Sequence, residues 1–190
     1  LEIAVLEHLR KQQPLQRLVD VASIKSIRPP EIFTGFPLLH NTLTMVSSEP
    51  FVGKTMFMLY MAMCLDAGLP LFGRYEPTRP GRVLVLGQDA PTWDYIGQCQ
   101  KLLRGMERNE STVLESELLL NAGLTISDHG FLKWLREYHD ADPFSGILID
   151  TLSTVHGADE NSNQQMARIM GVLKAIRDER AIAAGQIIDA

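Results

Sequence analysis

The chain has 190 residues, 45% of them hydrophobic and 22% charged, which predicts one domain with a sizeable core. A formal net charge of −5 excludes a uniformly basic coat for nucleic acid, although a local basic patch remains compatible with it. Two cysteines exclude a disulfide framework, and the longest apolar run, residues 56–65, reaches about half the length of a membrane span, so we expect a cytoplasmic protein with no membrane contact.

The first part of the chain predicts an N-terminal helical extension over residues 1–26. Apolar residues recur there at helical spacing, and an irregular, proline-rich segment follows over residues 27–41. The remaining residues, 27–190, are predicted to form the main nucleotide-binding domain. Because the sequence ends abruptly, we expect this domain to continue past residue 190.

A strand, a loop and a helix are predicted over residues 43–67. The apolar, β-branched residues 43–47 favour a strand, and residues 54–67 favour a helix that ends at Gly68. The loop between them matches the phosphate-binding P-loop pattern G-x-x-x-x-G-K-[ST], except that Ser48 replaces the first glycine. The predicted nucleotide-binding residues are Ser48, Glu49, Pro50, Phe51, Val52, Gly53, Lys54 and Thr55.

Each part of this pattern has a physical role. Backbone N–H groups of the loop surround the phosphates, and the helix adds the positive end of its dipole. The Lys54 ammonium would reach the β- and γ-phosphates, and the Thr55 hydroxyl would ligate Mg²⁺. The sequence therefore predicts ATP and Mg²⁺ as cofactors.

Short apolar runs alternate with longer amphipathic ones through the rest of the chain. The predicted elements are a strand over 82–86, a helix over 91–104, a strand over 118–120, a helix from Ser127 or Asp128 to Tyr138, a strand over 146–150 and a helix over 164–178. This alternation predicts an α/β fold with a mostly parallel, doubly wound sheet flanked by helices. The nucleotide would then bind at the carboxyl ends of the strands.

The inner faces of two helices contain the tryptophans of the chain. Trp93, with Ile96 and Leu103, is predicted to point inward from the helix over 91–104. Trp134 has aliphatic neighbours at helical spacing in the next helix. Core packing is therefore favoured for both rings over a role as base-stacking platforms.

Asp150 closes the apolar run over residues 146–150. In P-loop proteins, a strand parallel to the first one ends in an Asp whose carboxylate binds the water shell of Mg²⁺ beside the P-loop hydroxyl. Strands commonly end in Asp for reasons of turn formation, so the signal depends on its pairing with the P-loop. We predict that Asp150 and Thr55 form the metal site together.

The order of these motifs resembles that of the RecA-like P-loop ATPases. The matching stretches run from Phe36-Pro-Leu-Leu-His-Asn-Thr-Leu-Thr-Met-Val to Asp150-Thr-Leu-Ser-Thr-Val-His-Gly-Ala-Asp-Glu-Asn, and include Phe72-Gly73 followed by Pro80-Gly-Arg-Val-Leu-Val-Leu. The chain is most similar to the branch of plasmid RepA-type hexameric helicases and their relatives in plasmids, phages and mobile elements. The resemblance covers residues 27–180.

The chain departs from this family at residues that matter for hydrolysis. Members usually have Gly at the positions of Ser48 and Phe51, and a Glu-Asp pair where this chain has Gln88 and Asp89. The family's Glu deprotonates the attacking water, which a neutral amide cannot do, so the resemblance implies slow hydrolysis. Asp89 is the candidate replacement base, although an extended strand would point it to the opposite face. A register shifted by one residue, with nothing missing, remains an alternative.

Three further assignments follow from the resemblance. The family's γ-phosphate sensor is a polar residue at the end of the next strand, for which Gln186 is the candidate. His156 could face the site or be a simple loop residue. Arg168, Arg177 and Arg180 could each serve a neighbouring subunit, or be solvated surface residues.

The resemblance implies an ATP-binding module of a DNA replication, recombination or mobile-element protein. Such a module would form a homo-oligomeric ring or filament, would have DNA as a partner, and would hydrolyse ATP weakly or only with DNA bound. The alternative is a nucleotide-dependent assembly or regulatory scaffold that holds ATP without turnover, which Gln88 favours. A small-molecule phosphotransferase is a third hypothesis, weakened because no arginine-rich lid is evident.

Overall fold

A computed structural model describes residues 30–40, 42–49, 51–107, 114–123, 125–126, 129–159, 161–178 and 187–189. The predicted extension over residues 1–26 lies outside them. The strands of the described part are β1 (Leu43–Met45), β2 (Val83–Gly87), β3 (Glu117–Leu120), β4 (Gly146–Asp150) and β5 (Ile187–Asp189). Its helices are α1 (Lys54–Ala67), α2 (Thr92–Gly105), α3 (His129–Ala141) and α4 (Asn163–Asp178), with a short 3₁₀ helix at Leu152–Thr154. No helix of this described part is long and apolar enough to cross a membrane.

The strands form one parallel sheet in the order β1-β5-β4-β2-β3. The non-sequential order requires crossovers, and the helices supply them. Gly87 and Asp150 are paired in register, so β2 and β4 end level with each other. The predicted α/β class and the parallel, doubly wound sheet are confirmed.

The two central strands are buried on both faces. Because side chains alternate along a strand, Val83, Val85 and Leu148 contact one apolar cluster and the residues between them contact another. The first cluster includes the inner face of α1 and of α2, and the second that of α3 and α4. Helices therefore cover both faces of the sheet, which explains the continuous apolar runs in the sequence.

Helix α1 has the bounds that the sequence predicts. It begins after Gly53, which has a left-handed φ of 94°, and ends at Gly68, whose N–H donates to the Cys64 carbonyl. Seven of its residues are buried, namely Met58, Leu59, Met61, Ala62, Met63, Cys64 and Leu65. This broad buried surface fixes the P-loop, which leads directly into the helix, against the sheet.

The prediction for the inner face of α2 was wrong. Trp93 is 74% exposed and Ile96 is 45% exposed, while Leu103 is only half-buried. Tyr95 is fully buried instead, and Cys99, Leu102 and Met106 continue its stripe. Both stripes have helical spacing, and packing of the Tyr95 ring against the end of β2 decides between them. Trp134, by contrast, packs against the core beside Tyr138, with ring centroids 5.2 Å apart, as predicted.

Arg82 ties together the opposite, amino end of the sheet. It is buried just before β2 and forms ion pairs with Glu117 at 3.2 Å and Asp142 at 2.9 Å. It also donates to the carbonyl oxygens of Asp142 and Pro143. One planar guanidinium thus joins β2, β3 and the end of α3.

Candidate nucleotide site

A cavity of about 1040 Å³ opens at the carboxyl ends of β1 and β4. The chain segments that line it include residues 45–48, 53–56, 89–90 and 150–153, together with Phe51 and His156. The cavity lies where the sequence places the nucleotide, and the P-loop forms one of its walls. Most of the predicted site residues that the structure describes therefore meet at one place.

The P-loop contains two residues with left-handed backbone. Phe51 has a φ of 64° and Gly53 a φ of 94°. Glycine adopts this conformation without strain, whereas a residue with a Cβ does not. The usual glycine at the position of Phe51 thus has a conformational reason, and the Phe51 ring is fully exposed. Pro50 lies outside the described residues.

Lys54 lies folded over the loop. Its Nζ donates to the carbonyl oxygen of Ser48 at 2.9 Å and approaches that of Glu49 at 3.4 Å. Both acceptors are exposed and can be solvated if the ammonium leaves. The lysine charge is therefore held at the cavity wall by contacts that a phosphate oxygen would replace with stronger, charge-assisted ones.

Thr55 and Asp150 are joined directly, although 95 residues separate them in the chain. The Thr55 hydroxyl donates to Asp150 Oδ2 at 2.8 Å. Because the hydroxyl proton points to the carboxylate, the lone pairs of its oxygen remain available to a cation. This contact brings the P-loop and the end of β4 to one point, as predicted.

The Asp150 carboxylate is only half satisfied. The residue is 2% exposed, and its Oδ1 is buried without a hydrogen-bond partner in the part of the chain that the structure describes. Hard oxygen ligands such as this carboxylate and the Thr55 hydroxyl suit Mg²⁺, which usually takes one or two protein ligands and substrate phosphates. Among the described residues there is no cluster of three or more acidic, His or Cys side chains, so an all-protein metal cage is not the arrangement here.

Tyr95 is a site residue that the sequence did not reveal. Its hydroxyl donates to Asp150 Oδ2 at 2.8 Å and lies 3.2 Å from the Asp150 carbonyl oxygen. Burial, followed by the neighbouring Asp150 charge, raises the pKa of Tyr95, so the phenol stays protonated and remains a donor. The sequence offered one signal, a tyrosine at helical spacing from Cys99 and Leu102, but not the acid that it contacts.

Gln88 and Asp89 take different directions after β2. Gln88 donates its backbone N–H to the Asp150 carbonyl at 2.9 Å, and its side-chain Nε2 approaches the Thr154 carbonyl at 3.4 Å. Asp89 is exposed and lines the cavity. The expected opposite-face problem does not arise, because the strand ends at Gly87 and the chain turns into a loop. The acid is therefore the residue that borders the cavity.

The remaining candidates fall into two groups. His156 lines the cavity, and its Nδ1 accepts a hydrogen bond from the Ala158 N–H at 3.1 Å. Arg168 is exposed on α4, and Arg177 is half-buried near the end of that helix. Gln186 and Arg180 lie outside the described residues.

The parallel sheet, the loop leading into α1 and the acid at the end of β4 define a RecA-like α/β P-loop fold. The chain belongs to the AAA domain family, whose model matches residues 10–185. No curated protein sequence matches it.

Solved structures with this fold are similar at low identity. One of them, the ATPase domain of a larger protein, is 14% identical with a TM-score of 0.54, over 78% of this chain and 56% of that one. A DnaB-like replicative helicase, solved in work on its interactions with primase, is 13% identical with a TM-score of 0.57, over 98% of this chain and 51% of that one. The present chain thus spans about half the length of these proteins.

Proposed function

We propose that this chain binds ATP with Mg²⁺ in the cavity and is the ATP-binding module of a DNA replication, recombination or mobile-element protein of the RepA-type branch. The observation that carries the proposal is the hydrogen bond between Thr55 and Asp150 beside Lys54. It joins a phosphate-binding motif to a buried carboxylate with one free oxygen.

The side chains divide the work of binding by their chemistry. Lys54 would exchange its loop carbonyls for the β- and γ-phosphates, and the backbone N–H groups of residues 48–55 would surround them. Thr55 and Asp150 would hold Mg²⁺, which when bound neutralises phosphate charge and orients the γ-phosphate. Residues 27–190 would form this nucleotide-binding domain, with Gln186 as the γ-phosphate sensor.

Hydrolysis in this proposal depends on Asp89. A general base must reach the attacking water directly, and Asp89 borders the cavity while Gln88 approaches the Thr154 carbonyl. Asp89 is on a loop and is exposed, so its distance to the water is poorly fixed. We therefore propose weak turnover that increases when DNA or a neighbouring subunit orders this loop.

The oligomer and the DNA partner are inferred from family membership. One of the similar structures is a DnaB-like replicative helicase, and this likeness supports a role in replication. We propose a homo-oligomeric ring or filament with nucleotide between subunits. The exposed Phe51 and Val52 at the P-loop are compatible with contact to a neighbouring subunit.

The test is Mg²⁺-dependent binding of a fluorescent ATP analogue to the full-length protein. Lys54→Ala removes a charge-assisted contact worth about 1.5–3 kcal/mol, so affinity should fall about 10- to 100-fold. Lys133→Ala, at an exposed lysine of α3, is the matched control and should leave affinity unchanged. Equal binding by the wild type and Lys54→Ala would contradict the proposal.

A non-hydrolysing scaffold is the second candidate, favoured by the neutral Gln88. Turnover of the wild type, Asp89→Asn and Gln88→Glu separates the two hypotheses. If Asp89 is the base, Asp89→Asn lowers turnover about 10²- to 10⁴-fold. If wild-type turnover is absent with and without DNA and Gln88→Glu creates it, the scaffold is supported.

A further inference from the structure

We infer that Tyr95 is a positioning residue for the metal-binding carboxylate, an inference that rests on the proposed function. Its hydroxyl donates to Asp150 Oδ2, the same oxygen that accepts from Thr55. Both donors therefore occupy one oxygen of the carboxylate. Oδ1, buried and without a partner among the described residues, is left as the oxygen for Mg²⁺ or its water shell.

The two donors are not equivalent. Thr55 is itself a metal ligand in the proposed site, so its hydroxyl is shared between the cation and the carboxylate. Tyr95 comes from α2, has no other role in the site, and can hold the carboxylate plane whether or not a cation is present. Outer partners of this kind typically change metal affinity by about 10- to 100-fold when they are removed.

The fold immobilises the Tyr95 ring. The residue is 0% exposed, and a Cβ added at Gly87 would lie 2.7 Å from its Cζ and 2.8 Å from a methyl group of Leu120. The end of β2 thus has a glycine where the ring packs against it. The hydroxyl also lies 3.2 Å from the Asp150 carbonyl oxygen, so Tyr95 contacts both the backbone and the side chain at the end of β4.

The experiment is a Mg²⁺ titration of ATP-analogue binding to Tyr95→Phe, with the wild type as reference. The variant keeps the ring and loses the hydroxyl. The Mg²⁺ concentration for half-maximal binding should rise about tenfold, while affinity measured in EDTA stays the same. A purely structural role would instead lower both affinities together.

The matched control is Tyr138→Phe. Its hydroxyl also donates to a carboxylate, that of Glu117, at the amino end of β3. It should leave the Mg²⁺ dependence unchanged. Gly87→Ala is the second variant, because it displaces the Tyr95 ring without altering Tyr95, and it should reproduce the shift.

The outcomes separate the two proposals. Unchanged Mg²⁺ dependence in Tyr95→Phe, or an equal loss of affinity in EDTA, would overturn the role of Tyr95 and leave the proposed function intact. Absence of Mg²⁺-dependent binding in the wild type would overturn the proposed function itself.

Discussion

Replacing Phe51 with Gly should stabilise the protein slightly, which is unusual for a phenylalanine. Phe51 has a φ of 64° in the P-loop, and its ring is fully exposed. The left-handed backbone costs a residue with a Cβ about 1–2 kcal/mol. A glycine there removes this strain and gives up no buried surface.

The gain is partly offset in the unfolded chain. Glycine loses more backbone entropy on folding, which costs about 0.5–1 kcal/mol. The free energy of unfolding should therefore rise by about 0.5 kcal/mol. For a chain of this size, that corresponds to about 1–2 °C in melting temperature.

Phe72→Gly is the matched control. Phe72 has a φ of 55°, but its ring is 57% exposed and packs on Phe57 and Tyr60, with centroids 6.0 Å and 5.6 Å apart. At about 25 cal/mol per Å², the covered part of the ring contributes about 2 kcal/mol, which exceeds the strain relief. Calorimetry should show Phe72→Gly melting about 3–6 °C lower. The reasoning is refuted if Phe51→Gly melts more than about 1 °C below the wild type, or if both variants shift in the same direction.

Three further predictions concern stability. Burial lowers the pKa of His139 from its ordinary 6.5, so the unfolded chain protonates first; stability should fall as pH drops below 6.5, and urea titrations should show a weaker pH dependence in His139→Leu. Arg82→Lys keeps the charge but not the fork between Glu117 and Asp142, and should cost about 1–2 kcal/mol in the same assay; an unchanged midpoint would contradict this. Trp93→Ala should change stability by less than about 0.5 kcal/mol because the ring is exposed, and a loss above about 2 kcal/mol would contradict that exposure.

Features fixed by short-range physics could be predicted from the sequence. The apolar run over residues 146–150 has only one buried arrangement, and β4 has the predicted bounds. Gly53 and Gly68 flank α1 because both ends require left-handed backbone. The contact between Thr55 and Asp150 followed from one rule, that parallel strands bring their carboxyl ends to the same edge.

Features decided by tertiary packing could not. Helix α2 has two stripes at helical spacing, one with Trp93 and one with Tyr95, and hydrophobicity alone favours the tryptophan. Space beside Gly87 and an acceptor on Asp150 select the tyrosine, and both depend on the register of β2 against β4. The placement of Asp89 failed for a similar reason, because it depends on where β2 ends.

The features that are costly in the isolated domain all lie around the same cavity. Asp150 has a buried oxygen without a partner among the described residues, a defect that costs about 1–3 kcal/mol. Phe51 has a strained backbone, and Lys54 contacts only exposed carbonyls. A bound cation would satisfy the first and phosphate oxygens the last. Costs that one ligand would relieve together are expected of a binding site and not of a relic of ancestry, because selection for stability alone would remove them.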